Sequence, residues 1–331
     1  MAFRSGGDRS AQRTLFRFLG SPTGATSGMV RNRQYSIIEA PSVLGLFPSG
    51  VERLPEALLD AGLADALGAR RAGCVRPLPY DPTRDALTGM LNPTGLRDYA
   101  LHLADATAEV LDRGEFPIVL GGDCSILLGT QLALRRRGRY GLLFIDGHAD
   151  FYQPEAEPNG EAASMDLALA TGRGPDIVTD LEGRRPLVRD EDVVQIGRRD
   201  KDEADRAGSQ CIEDSSITVI DLPTIRSHGV ERVGQQAMAY LGRPELDGFW
   251  VHLDCDALDD VVMPAVDYRL PGGMSWAEIE TVLRAAIHDG DAIGLEVTIF
   301  NPSLDGDGTI ARALVTCLVR GLIPPISATG E

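Results

Sequence analysis

No stretch of the 331-residue sequence stays apolar over the roughly 18 consecutive residues that a membrane-spanning helix needs. Positive charge is scarce as well. Thirty-two Lys and Arg stand against 49 Asp and Glu, a formal net charge of −17. That balance excludes the basic footprint of a nucleic-acid-binding protein or of one that docks on an anionic membrane. Cysteine is sparse and shows no paired spacing: Cys74, Cys124, Cys211, Cys255 and Cys317 form an odd, scattered set. With no apolar secretory leader beside it, this set reads as reduced thiols in a cytoplasmic protein. Internal repeats, low-complexity linkers and charge blocks are absent too, so nothing splits the chain beyond its first segment.

That first segment runs against the overall acidity. Residues 1–33 hold Arg4, Arg9, Arg13, Arg17, Arg31 and Arg33 against the single acid Asp8, amid Ser and Gly and without an apolar period. A disordered tail, a start at Met29 and an organelle transit peptide all fit such a leader. The expected domain organisation is therefore a basic leader over 1–33 and one catalytic domain over 34–331.

Past residue 34 short apolar runs alternate with amphipathic stretches. Tyr35–Ala40, Phe116–Leu120, Gly141–Ile145, Asp192–Ile196, Ile217–Ile220, Phe249–Leu253 and Ala292–Val297 read as strands. Pro55–Leu67, Leu96–Arg113, Ser275–Asp289 and the segment from Gly308 to Arg320 read as helices. Ser275 and Glu278 have the spacing of a capping box. Strands alternating with helices predict an α/β fold, a three-layer α/β/α sandwich around a mostly parallel sheet of about eight strands. Ligands bind such sheets at the carboxyl ends of the strands.

Chemistry gathers at those ends. Gly121-Gly122-Asp123-Cys124-Ser125 follows one strand, Asp146-Gly147-His148-Ala149-Asp150 a second and Asp254-Cys255-Asp256 a third. In extended backbone, side chains two apart share a face, which predicts that Asp146, His148 and Asp150 converge, as do Asp254 and Asp256. Four carboxylates and an imidazole brought together repel unless divalent cations bind among them.

These segments resemble the ureohydrolase family, which includes arginases and agmatinases and whose motifs are G-G-D-H-S, D-A-H-x-D and S-F-D-x-D-x-x-D-P. The resemblance runs from about residue 36 to about 322. Gly45–Leu58, Ile196–Asp202 and Gly294–Pro302 resemble further family segments. The resemblance implies two divalent ions, manganese first, with one held by Cys124, Asp146, Asp150 and Asp254. The other would be held by Asp146, His148, Asp254 and Asp256. It further implies a hydroxide between the ions as the nucleophile on a guanidinium carbon, with His148 and Asp150 in the catalytic set. Glu296 would grip the guanidinium, and Asp200 and Asp202 would face the amino end of an amino-acid substrate. A homotrimer or homohexamer acting on a small guanidine or amidine is implied as well.

Departures from the family pattern are specific. Position 124 is Cys in place of His. As a thiolate it would shift metal preference toward zinc or iron; as a plain core thiol it would leave one site weak. Ungapped alignment from Asp150 puts Tyr152 and Asn159 where arginases read the substrate carboxylate, and Ala163 at the position of a proton-shuttling His. Glu155–Glu157 adds acid suited to a cationic end group, and Thr298–Phe300 interrupts the E-V-N-P motif around Glu296. The expectation is an amidinohydrolase for a modified or bulky guanidine, such as N-hydroxyarginine. The alternatives are a formiminoglutamase-type or amide-type hydrolase and a non-catalytic metal-binding relative.

Overall fold

A computed structural model describes residues 33–324. Apart from Arg33, the basic leader lies outside the described residues. Eight strands form one sheet in the order β2-β1-β3-β8-β7-β4-β5-β6, and every pairing is parallel. The strands are β1 Tyr35–Ala40, β2 Arg70–Cys74, β3 Phe116–Gly121, β4 Gly141–Ile145, β5 Val193–Ile196, β6 Thr218–Ile220, β7 Phe249–Asp254 and β8 Ala292–Thr298. β3, β4 and β7 are buried along their whole length, which is why they read as near-continuous apolar runs, interrupted within β7 by His252, rather than alternating ones.

Helices cover both faces, giving the three layers expected. One face packs on Leu54–Asp60, Val230–Leu241, Trp276–Arg284 and Thr309–Leu322 through residues such as Leu143, Val251, Leu253 and Val297. The other packs on Pro93–Asp112 and Leu127–Arg135 through Val119, Leu142, Phe144 and Trp250. The capping box at Ser275 and Glu278 is present in both directions. The helix expected over Pro55–Leu67 is two helices, Leu54–Asp60 and Leu63–Leu67. Gly62, at φ 90°, breaks it in the left-handed region. β2 (Arg-Arg-Ala-Gly-Cys) was not expected; it is a partly exposed edge strand whose polar residues carry no apolar alternation.

The order of the strands decides where a site can form. The chain lays β3 on one side, crosses to β4, runs out through β5 and β6, and then fills the gap with β7 and β8. The carboxyl ends of β3, β8, β7 and β4 thus stand side by side at the sheet's centre, the crevice position in doubly wound folds.

Candidate metal centre

β4 stops at Ile145, and Asp146–Asp150 continues as a non-strand turn. The period-two argument for this segment therefore does not hold. Asp150 joins the cluster because it adopts φ 46°, a left-handed conformation that Asp tolerates better than most residues. Asp146 Oδ1 accepts from the His148 amide at 2.6 Å, and Gly147 N–H donates to Asp256 Oδ1 at 3.1 Å. His148 Nδ1 lies 2.8 Å from Asp256 Oδ2. β7 ends at Asp254, whose side chain caps the short turn Cys255–Ala257 by accepting from Asp256 N–H at 2.7 Å. That cap, rather than an extended run, directs Asp256 toward Asp146 and His148.

Cys124 opens the turn after β3. Asp123 holds that turn by accepting from the amides of Ser125 (2.9 Å) and Gly45 (3.2 Å). Gly122 is required there, since a Cβ would lie 1.8 Å from the Ser42 carbonyl oxygen. Cys124 Sγ lies 2.8 Å from Asp254 Oδ2 and 3.2 Å from Thr298 Oγ1.

Three groups of donor atoms result, each with its members within 4.8 Å of one another: Cys124, Asp146, His252 and Asp254; Cys124, Asp150 and Asp166; and Asp146, His148 and Asp256. All six expected metal residues fall in these groups. His252 and Asp166 were not anticipated. His252 was within reach of the sequence, because it lies two residues before Asp254 in a strand and shares its face. Asp166 opens a short helix 16 residues beyond Asp150, and no local pattern marks it.

Electrostatics match a site for cations. Burial, then the charge of Asp256, pushes Asp146 up to about 6. Burial and neighbouring carboxylates raise Asp150, Asp166 and Asp254 well above the usual carboxylate range, and burial with Asp254 raises the Cys124 thiol. Burial opposes a charge on His148, but Asp256 and Asp146 outweigh it and raise its pKa. Burial likewise opposes a charge on Asp256, yet His148 and Arg199 hold it below its ordinary value. Asp146 Oδ2, Asp166 Oδ2 and His252 Nε2 are buried without a hydrogen-bond partner among the described residues. Desolvated carboxylates with open oxygens are the donors that divalent cations require.

The expected substrate residues fare differently. Glu296 was expected to grip a guanidinium; it is fully buried in β8, with Oε2 bonded to Thr130 Oγ1 (2.7 Å) and Oε1 to His252 Nδ1 (2.7 Å). It is closed to a substrate. The end of β8 instead carries Ile299 at φ 70°, its amide bonded to Gly122 O at 2.9 Å. Asp200 is buried and occupied, accepting from Arg198 Nε at 2.7 Å and the Ala149 amide at 3.2 Å; it braces the turn that carries His148. Asp202 is exposed at the start of the helix Lys201–Ala207. Tyr152 is half-buried, its hydroxyl pushed up to about 12 by burial and then by Asp200. Asn159 Nδ2 lies 3.3 Å from Tyr268 Oη, and Tyr268 also bonds Glu161. In the acidic strip, Glu157 turns inward and accepts from the Glu161 amide at 2.8 Å.

The family model described as Arginase family matches residues 34–323. The arginase of Staphylococcus aureus (strain COL) is 29% identical over 297 residues, covering 87% of this chain and 96% of that protein. The arginase of Bacillus subtilis (strain 168) is 32% identical over 297 residues, covering 88% and 98%. A crystal structure of arginase from Bacillus cereus superposes with a TM-score of 0.79 at 27% identity, covering 89% of this chain and 99% of that one.

Proposed function

The chain belongs to the arginase family, hydrolases of carbon–nitrogen bonds in linear amidines, and from that premise we propose that it releases urea or hydroxyurea from a modified guanidino amino acid or amine. The observation that carries this reading is the buried cluster of carboxylates, thiol and imidazoles at the ends of β3, β4 and β7. Two divalent cations held among Cys124, Asp146, His148, Asp150, Asp254 and Asp256, manganese first and zinc or iron second, would supply Lewis acidity and bring a water's pKa near neutrality.

The chain's own residues do the rest. Asp146 belongs to two of the donor groups and suits a carboxylate shared by both ions. His148 is the more exposed imidazole, its side chain 17% accessible against none for His252, so substrate approaches on its side. Asp150 and Asp254 hold the inner edge. Glu296 is closed off and Ala163 offers no proton, a pairing that favours a guanidine of lowered basicity, which water attacks in its neutral form. An N-hydroxyguanidine has that property, and its hydrolysis to hydroxyurea releases the same alkyl amine as an unmodified guanidine would. Asp202, Tyr152 and Asn159 remain as groups for the far end of the substrate. A cytoplasmic homo-oligomer, trimer or hexamer, completes the proposal.

The test is a product assay on protein loaded in turn with manganese, zinc and iron, against arginine, agmatine and N-hydroxyarginine. Hydroxyurea from N-hydroxyarginine in excess of urea from arginine is expected. Release of ammonia or acetate from formimino or amide substrates would move the reading to another C–N hydrolase. Bound metal without turnover on any substrate would favour a non-catalytic relative, the reading that the closed Glu296 also suits.

A further inference from the structure

His252 lies on a sheet strand, fully buried, with its ring stacked on Phe144 at 4.5 Å between centroids and 5° between planes. A buried imidazole with one nitrogen unsatisfied is costly, and native interiors rarely keep one without a purpose. Nδ1 is taken by Glu296, and Glu296 is in turn held by Thr130 from the helix Leu127–Arg135. With Nδ1–H donating to the carboxylate, Nε2 carries the ring's lone pair, and Nε2 is the atom without a partner. A ring nitrogen of His252 lies within 4.8 Å of donor atoms of Cys124, Asp146 and Asp254.

We propose that His252 is a ligand of the cation held by Cys124, Asp146 and Asp254, its imidazole delivered from within the sheet and locked by the Glu296–Thr130 pair. This rests on the metal-binding part of the function proposed above and extends it to a residue outside the expected set. Three features converge. A carboxylate behind a histidine is the usual outer support of a metal-bound imidazole, fixing its tautomer and raising its basicity. A neutral imidazole adds a donor without adding negative charge to a cluster that already holds five carboxylates and a thiol. A donor set of one sulfur, one nitrogen and carboxylate oxygens is softer than an all-oxygen one and shifts the preference of this one site from manganese toward zinc or iron. The same arrangement explains why Glu296 is turned inward: it positions a ligand.

The experiment titrates metal-stripped full-length protein with cobalt(II), reading the visible d–d envelope, the near-ultraviolet thiolate band and the affinity against a competing chelator. Wild type is compared with His252→Asn and Glu296→Gln, with circular dichroism and metal-free thermal midpoint as fold controls. The expected result is a changed d–d envelope in both variants, with cobalt affinity lowered about 10- to 100-fold while the thiolate band persists. Should His252→Asn fail to fold, Glu296→Gln decides by the same readouts. Unchanged spectrum and affinity in the folded variants overturn the ligand role and leave the proposed function standing. A wild type that takes up no cobalt overturns both.

Discussion

Cys124 shows what one side chain decides. It sits 1% exposed where three neighbouring strand ends meet, against Asp254 and Thr298. Burial and four acidic neighbours raise its thiol, so taking up a cation as thiolate must expel a proton. Its sulfur is the softest donor in the cluster. Cys124→Ser, nearly the same size, should therefore move metal selectivity from zinc toward manganese by roughly tenfold or more, the scale on which even outer partners of a ligand act. The check is elemental analysis after equilibration with equal zinc and manganese; an unchanged ratio would remove the sulfur from the site. Glu296 makes the opposite point. As a letter in a motif it was a substrate grip, but register places it across from His252, and both its oxygens are spent inside the protein.

At the scale of elements, the site is made by how strands end. β4 gives way to a turn in which Asp150 goes left-handed, and β7 gives way to a turn capped by Asp254. The strands were legible because each is a short apolar run, and the candidate metal residues because they follow those runs directly. The convergence was legible for the wrong reason, since alternation ends where the strands do. β2 was illegible because its residues are those of a solvated edge, and its place is set by pairing with β1 alone. The helix Trp276–Arg284, by contrast, announces its start through Ser275 and Glu278. Ser275→Ala should cost about 1 kcal/mol and lower the thermal midpoint by roughly 1–2 °C, with hydrolysis and metal content untouched. Loss of metal in that variant would show that the cap reaches the site.

For the whole molecule, the sheet order gathers a charge problem into its centre, one that bound cations would relieve. In the metal-free protein Asp146 titrates at about 6 against 3.8, and Asp150, Asp166 and Asp254 are raised too. A raised carboxyl holds its proton more tightly when folded, so its stability is present at low pH and lost as pH rises through the folded value. His148, raised above 6.5, acts in the same sense: its contribution is full below that value and lost as pH rises through the folded one. Asp256 is depressed and acts oppositely, but only below its ordinary 3.8. Chelator-treated protein should therefore melt lower near pH 7.5 than near pH 5, by at least about 5 °C. Added divalent metal should raise the midpoint at the higher pH and flatten the difference. Equal midpoints at the two pH values in chelator would contradict the buried cluster.

By itself the sequence determined the layered parallel fold, the family and six of the residues that gather in the donor cluster. All of these rest on local signals, namely apolar runs, the turns that stop them and acids placed just beyond. Only the tertiary structure brought Asp166 to Cys124 and Asp150, spent Glu296 on His252, and left His252 Nε2 without a partner beside the cluster that His252 joins. The physical reason is that β7 and β8 enter the sheet last and between strands laid down much earlier. Which side chains then meet depends on register between strands far apart in the chain, and no local pattern carries that register.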